Sequence, residues 1–449
     1  MATDNGARNV KRVVISSGLL AIVLASACTD PDVKLRGERE PVASILDGGG
    51  AESEAQSVNQ VRPFKAPKER SNSSWAQGHG TPKTRTVHPA LGTDLTRAWS
   101  VSIGRGDRDR ARISADPIVV DDRVITLDSH SVAVATSVDG KKIWSLDLTP
   151  AGEKSGEADG GGLASGDGKI FVTTGYGDLI ALDAASGKVI WKQSLMALAA
   201  GRPAYSDGLV YVVSGATTGW AIEAKDGRVR WQIEGLSDIN TRRGSTGPAV
   251  TEKLVLFGYG SGDIQAAFRK GGLVLWTATL AGKRSGRAIS TVGGIGSSPV
   301  VVDNVAYAAN LSGRLVAMNA NSGARLWTAP HGAVSPLWVA GGSVFLINDI
   351  SQLIRVDARS GETLWAIDLP AEKPSLSWRS TEVIAHHGPI LAGGRLIVTS
   401  GDGLIRQFDP VSGAALETVK VPGGATTSPV VAGGVLYVVS KTGKLHAFR

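Results

Sequence analysis

Side chains able to do chemistry are few in this chain and poorly spaced for it. The seven histidines are His79, His88, His130, His331, His386, His387 and His446. None has a partner at zinc-ligand spacing. His386 and His387 are adjacent, and neighbours on an extended strand point to opposite faces, so the two cannot share a metal. The glycine-rich stretch 160–169, ending Gly166-Asp167-Gly168-Lys169, invites comparison with a phosphate-binding loop. It lacks the required spacing and the Ser/Thr after lysine, and a strand pattern follows where a helix must stand. No Gly-x-Ser-x-Gly elbow occurs, and the acidic residues gather in turns. The expectation is a chain with no catalytic residue, no metal site and no cofactor.

The chain has a single cysteine, Cys28, which excludes an internal disulfide, a cysteine-based metal site and a c-type haem attachment. Its surroundings give it another use. Arg8, Lys11 and Arg12 form a positive leader, and residues 13–25 form an apolar run too short for a bilayer, which takes about 20 residues. Leu24-Ala25-Ser26-Ala27-Cys28 resembles a bacterial lipobox, where cleavage precedes the cysteine and the thiol is acylated. Several acyl chains, at about 0.8 kcal/mol per buried methylene, would hold such an anchor stably. Residues 1–27 are therefore expected to be a lipoprotein signal peptide. Thr29, not an acidic residue, follows the cysteine, so a signal for retention at the inner membrane is not evident.

Charge points to no special partner. The formal charge is +7, and Arg8, Lys11, Arg12 and Asp4 fall inside the leader, leaving +5. The stretch 105–112 alternates arginines with aspartates, which reads as a solvated loop and not as a nucleic-acid patch. Residues 28–94 have little hydrophobic periodicity and are rich in Glu, Asp, Gly, Ser and Pro, a tether and irregular lead-in. Trp75 and His79 lie near its end and read as packing residues over the rim of the following domain.

That domain, 95–449, is built on a repeat. Ala181-Leu182-Asp183-Ala184-Ala185-Ser186-Gly187-Lys188-Val189-Ile190-Trp191 reads as a strand end, a tight turn and a second strand closed by tryptophan. The four-residue step from glycine to tryptophan recurs at Gly140–Trp144, Gly187–Trp191, Gly227–Trp231, Gly272–Trp276, Gly323–Trp327 and Gly361–Trp365. A seventh copy has Gly413 but Glu417 in place of tryptophan. A period of roughly 40–50 residues marks propellers and solenoids. Aromatics are only 5% of the chain, yet 11 are tryptophan, and Trp99, Trp144, Trp191, Trp231, Trp276, Trp327 and Trp365 occupy this one place. An indole there would fill the gap between neighbouring units while its N–H finds a backbone acceptor. Alanine recurs ten residues earlier (Ala181, Ala221, Ala266, Ala317, with Ala447 in the last unit), leaving room for the ring.

Each unit shows four strand runs separated by turn pairs such as Asp121-Asp122, Asp207-Gly208, Gly341-Gly342, Gly393-Gly394 and Gly433-Gly434, residues that tolerate positive φ. Eight second strands can be counted. The strand around Trp99 has no three strands before it, and the last unit stops after its third. Pairing the two closes an all-β, eight-bladed propeller of four-stranded antiparallel blades and removes free sheet edges. Links 150–161, 235–247, 281–297 and 370–388 are long, and insertions of this kind often mark a binding face.

The repeat resembles the tryptophan-docking motif of the quinoprotein propellers, shared by PQQ-dependent alcohol dehydrogenases and by the BamB lipoproteins of the outer-membrane β-barrel assembly machinery. The dehydrogenases typically carry a disulfide of adjacent cysteines, which this chain cannot make. Size, lipobox, short leader and ending after a third strand resemble the BamB family. That resemblance implies a non-catalytic scaffold anchored on the periplasmic face of the outer membrane, whose partners are BamA, other assembly-complex subunits and unfolded barrel precursors. In that family a Leu-x-Leu-Arg-Gly stretch contacts BamA. The matching stretch here is Asn240-Thr241-Arg242-Arg243-Gly244, in which Arg243 and Gly244 match and both leucines are replaced, so Thr241, Arg242, Arg243 and Gly244 are the implied contacts. An acidic pair of the family corresponds to Gly294-Ile295-Gly296, where it is missing. A PQQ-dependent dehydrogenase and a general envelope-binding propeller are the alternatives.

Overall fold

A computed structural model of the chain describes residues 59–449 except 79–84, 110, 159, 198–200, 237–245, 281–293, 334 and 374–381. Cys28, His79 and Thr241–Gly244 lie outside the described residues. Among the described residues every regular element is a strand, and the strands form eight four-stranded sheets. Blades 1 to 7 span 118–147, 161–194, 204–234, 249–279, 300–329, 338–368 and 386–420, each a simple up-and-down antiparallel meander. Blade 8 takes three strands from 430–448 and its outer strand, Arg97–Ser102, from ahead of blade 1. Trp99 lies opposite Ala447 and Ser102 opposite Lys444, so the ring closes as its strand count requires.

Turn chemistry sets the meander. Both central residues of the first hairpin have positive φ in every blade but the fourth: Asp121 and Asp122 at 46° and 57°, Gly341 and Gly342 at 54° and 74°. This conformation matches the right-handed twist of the flanking strands. The second recurrent turn is capped by its own polar residue. Asp183 Oδ1 accepts the Ser186 N–H at 2.8 Å and the Ser186 hydroxyl at 2.6 Å, and these bonds hold its carboxyl below the usual value. Asn319, Asp357 and Asp409 play the same part in their blades.

The apolar core lies in the seams between blades. Separate clusters join blades 1 and 2, 2 and 3, 3 and 4, 4 and 5, and 5 and 6. Each tryptophan reaches from its outer strand onto the capped turn of the next blade. Trp144 Nε1 donates to Ala184 O at 3.2 Å, Trp191 to Ala224 O at 3.0 Å, and Trp276 to Ala320 O at 3.0 Å. Trp99 bonds Val138 O across the closure itself. The turn glycine lies flat beneath the ring: a Cβ on Gly187 would stand 2.6 Å from Trp144 Cδ2. The recurring alanines are the indoles' cross-strand partners, as in Ala181 with Trp191 and Ala266 with Trp276. Trp365 departs from the pattern. It sits against Gly413, but its Nε1 is buried with no acceptor.

Trp75 lies in the hub and not over the rim. Trp75 exchanges backbone hydrogen bonds with Val119, the inner strand of blade 1, at 2.8 and 2.9 Å. Its ring stacks on Trp338 of blade 6 at 6.2 Å. Ala76 O accepts from Ser165 N in blade 2, Gln77 bonds Tyr205 in blade 3, and Asn72 bonds Val431 O in blade 8. The segment thus crosses the hub and pairs with inner-strand edges that would otherwise lack partners. Trp75, Leu91 and Leu95 join the one large cluster linking blades 6, 7, 8 and 1.

Candidate functional site

An inner strand begins at the link from the previous blade and ends at the first hairpin, so links and hairpins lie at opposite ends of the hub. The lead-in touches the hairpin end, at Gly341, Gly393 and Gly433. The link end holds a cavity of about 670 Å³. All four long links supply lining residues: Gly160 and Gly161, Thr246, Gly294 to Ser297, and Glu382, Val383, Ala385 and His387. The elaborated surface expected from loop length therefore converges on one mouth.

At the cavity's floor, blades enter their inner strands through a residue followed by proline. Asp116-Pro117, Arg202-Pro203, Gly247-Pro248, Ser298-Pro299 and Ser428-Pro429 are such pairs. Arg202 of blade 3 reaches Asp116 of blade 1 in a close ion pair, and Ser428 N of blade 8 donates to the same carboxylate at 2.8 Å. Blade 2 permits this bridge because it has glycine between them: a Cβ on Gly162 would stand 2.6 Å from Arg202 Cα. Burial pushes the Asp116 carboxyl above its ordinary value, against the opposing pull of Arg202 and Ser428. One layer out, Ser297 Oγ, Thr427 Oγ1 and His387 Nε2 line the cavity without protein partners. Burial, reinforced by His386, Arg202 and Lys441, lowers His387 to about 3, so its ring is neutral near pH 7.

The arginine–aspartate stretch is less free than its composition predicts. Asp107 accepts from Ile113 N at 2.8 Å and from Thr426 Oγ1 at 2.7 Å, and donates its N–H to Lys441 O. It ties the entry to blade 1 onto blade 8 at the mouth. Gly294-Ile295-Gly296 also sits there. Ile295 pairs with Asn310, and Gly296 is packed so closely that a Cβ would lie 2.2 Å from Ala333 O. Backbone packing occupies this position, and the implied contact stretch Thr241–Gly244 lies outside the described residues. No group of three His, Cys, Asp or Glu able to hold a metal occurs among the described residues.

Sequence reasoning missed two buried arginines that fasten the lead-in. Arg355 stands where other blades have the small residue opposite tryptophan. It donates to Arg62 O, Pro63 O, Val411 O and Ser343 Oγ at 2.9–3.2 Å, and Phe64 lies against its guanidinium. Arg395 of blade 7 holds Gly92 O and Thr93 O. The available signal was the break in the alanine series at 355 and 407.

Comparison with known proteins agrees with this architecture. The sequence profile of a family described as "Outer membrane protein assembly factor BamB" matches residues 128–367 and 369–449. The protein of that name from Salmonella typhimurium is 31% identical over 360 residues, covering 78% of this chain and 88% of the relative. The Escherichia coli protein of that name is 30% identical with the same coverage. Among solved structures, BamB from Moraxella catarrhalis superposes with a TM-score of 0.63 at 21% identity, covering 79% of this chain and all of that one. The quinohemoprotein alcohol dehydrogenase of Comamonas testosteroni shares the fold at a TM-score of 0.61 and 14% identity, covering 84% and 80%. With the profile matched along most of its length, this chain belongs to the BamB family of outer membrane protein assembly factors.

Proposed function

We propose that the chain is a non-catalytic scaffold, anchored through Cys28 on the periplasmic face of the outer membrane, that helps β-barrel precursors reach BamA. The observation that carries this reading is the similarity over 88% of the length of relatives named as assembly factors. The outer strands supply a further support. The residue before each docking tryptophan, or before Glu417, is an aliphatic in six of the first seven blades. It is 45% exposed in Ile143, Ile190 and Leu275, 54% in Leu326 and 49% in Leu416. In blade 6 the equivalent Leu364 is 2% exposed, because the lead-in runs alongside and Gln60 N donates to Leu364 O. A segment of the chain thus covers one of these outer edges, and edges of this kind are where strand addition could take place. The test is co-purification with BamA from crosslinked envelopes, with porin levels measured after deletion. Capture of BamA and a loss of porins are expected; intact porins with no BamA captured would overturn the role.

A further inference from the structure

The ring closure carries a second, smaller pocket. Its cavity of about 380 Å³ is lined by Arg97 and Ser100 of the closing strand, Pro422 and Gly423 of the link into blade 8, and Thr442, Lys444 and His446. His446 lies opposite Ser100 in the closure register and is 1% exposed. Neither of its ring nitrogens makes a well-formed hydrogen bond, the Pro422 carbonyl being the one acceptor that faces the ring. An imidazole so incompletely bonded at that depth is costly, and the surroundings indicate what would satisfy it. Both charged lining groups are cations, Arg97 and Lys444, and both are exposed at the pocket's edge. Ser100 and Thr442 add hydroxyls, and no carboxylate lines the pocket.

We propose that this pocket binds a tetrahedral oxyanion, a phosphate group above all, held by Arg97 and Lys444 with His446 at its floor. Two cations and an imidazole converging on one concavity are a donor set with no acceptor charge of its own, and charge-assisted bonds to phosphate are the strong kind. The titration of His446 agrees. Burial, with Arg97 and Lys444 adding like charge, lowers it to about 4, while the Pro422 carbonyl works the other way. The neighbouring strand Val435–Ser440 places Val438 opposite the histidine and brings no charge to it. A bound anion reverses the balance and favours the imidazolium. Because the pocket joins the first and last strands of the ring, an occupant also braces the closure.

The experiment uses the whole mature chain. Inorganic phosphate is titrated at constant ionic strength against chloride, following the His446 ring resonances and the melting temperature. Saturable phosphate binding, a rise in the His446 pKa and a higher Tm are expected, with affinity falling by roughly tenfold or more in R97Q/K444Q. Both replaced side chains are exposed, so that variant folds. A parallel arm compares phosphatidylglycerol with phosphatidylcholine vesicles. Retention of wild type but not R97Q/K444Q on the former assigns a lipid headgroup; phosphate binding without such retention assigns the free anion. Equal effects of phosphate and chloride, or unchanged affinity in the double variant, leave only an ordered water in the pocket and overturn the proposal.

Discussion

Seven seams of this ring are closed by a tryptophan and one is not, and the difference explains what the tryptophan is for. From the seam between blades 8 and 1 round to that between 6 and 7, an indole lies over the glycine of the next blade's capped turn. Between blades 7 and 8 the position is Glu417, which is exposed. The receiving turn is what is missing there. In blade 8 the third and fourth strands are joined by no hairpin, since the fourth, Arg97–Ser102, enters from the lead-in. Thr96 and Arg449 merely exchange backbone hydrogen bonds at 2.7 and 2.9 Å. The ring has a tryptophan wherever a turn can receive it. On the open side, Leu91 and Leu95 of the lead-in enter the cluster that holds blades 7 and 8.

The largest effect should come from an ordinary seam. Trp191 is 9% exposed and fills the joint between blades 2 and 3, so Trp191→Ala should lower unfolding stability by about 3–5 kcal/mol, measured by chemical denaturation. A loss under about 1 kcal/mol would mean the indoles decorate seams that other contacts already hold. Next comes Arg355, which repairs the seam where Trp365 has lost its acceptor. Arg355→Met leaves three carbonyls unpaired and should cost about 2–3 kcal/mol. It should also free residues 59–64, read as faster proteolysis there than in Trp191→Ala at matched stability.

A smaller effect separates the receiving turn from an ordinary hairpin. Gly187 and Gly208 have similar φ, 72° and 81°, so alanine strains both backbones. A Cβ meets the Trp144 ring at Gly187 and nothing within 4 Å at Gly208. Gly208→Ala should cost about 1 kcal/mol and Gly187→Ala roughly 1–2 kcal/mol more. Equal losses would show that the ring moves aside freely, and that the glycine serves the turn alone.

These tests bear on what the sequence could disclose. The blades were readable because their determinants are close in sequence: a turn pair, a capping Asp or Asn, and a tryptophan four residues after a glycine all recur within one short stretch of each unit. Strand count and closure followed from arithmetic on those units. The lead-in was not readable. Residues 59–95 have no periodicity, and their partners lie up to several hundred positions away, as with Arg62 O and Arg355. Nothing near Trp75 in the sequence tells hub from rim. The floor of the channel was hidden for a related reason. Asp116 and Arg202 look like turn residues until the ring brings blades 1 and 3 together across the glycine of blade 2. At 294–296 the loss of a family acidic pair was visible, but its close packing against Ala333 was not.

The smallest effect is the most discriminating. If tryptophan is favoured by its place on the outer strand, Glu417→Trp should stabilise the ring; if it is favoured by the turn that receives it, the substitution should do nothing. An indole at 417 would face the Thr96–Arg449 backbone pair in place of a left-handed glycine, so little of its surface leaves water. The carboxylate it replaces is one of three, with Glu69 and Asp94, whose field supports the buried Arg395 guanidinium. The change in unfolding free energy should therefore lie within about 0.5 kcal/mol of zero, on the destabilising side. A gain approaching the loss seen in Trp191→Ala would mean the seam was competent all along, and that the absence of a hairpin in blade 8 does not account for Glu417.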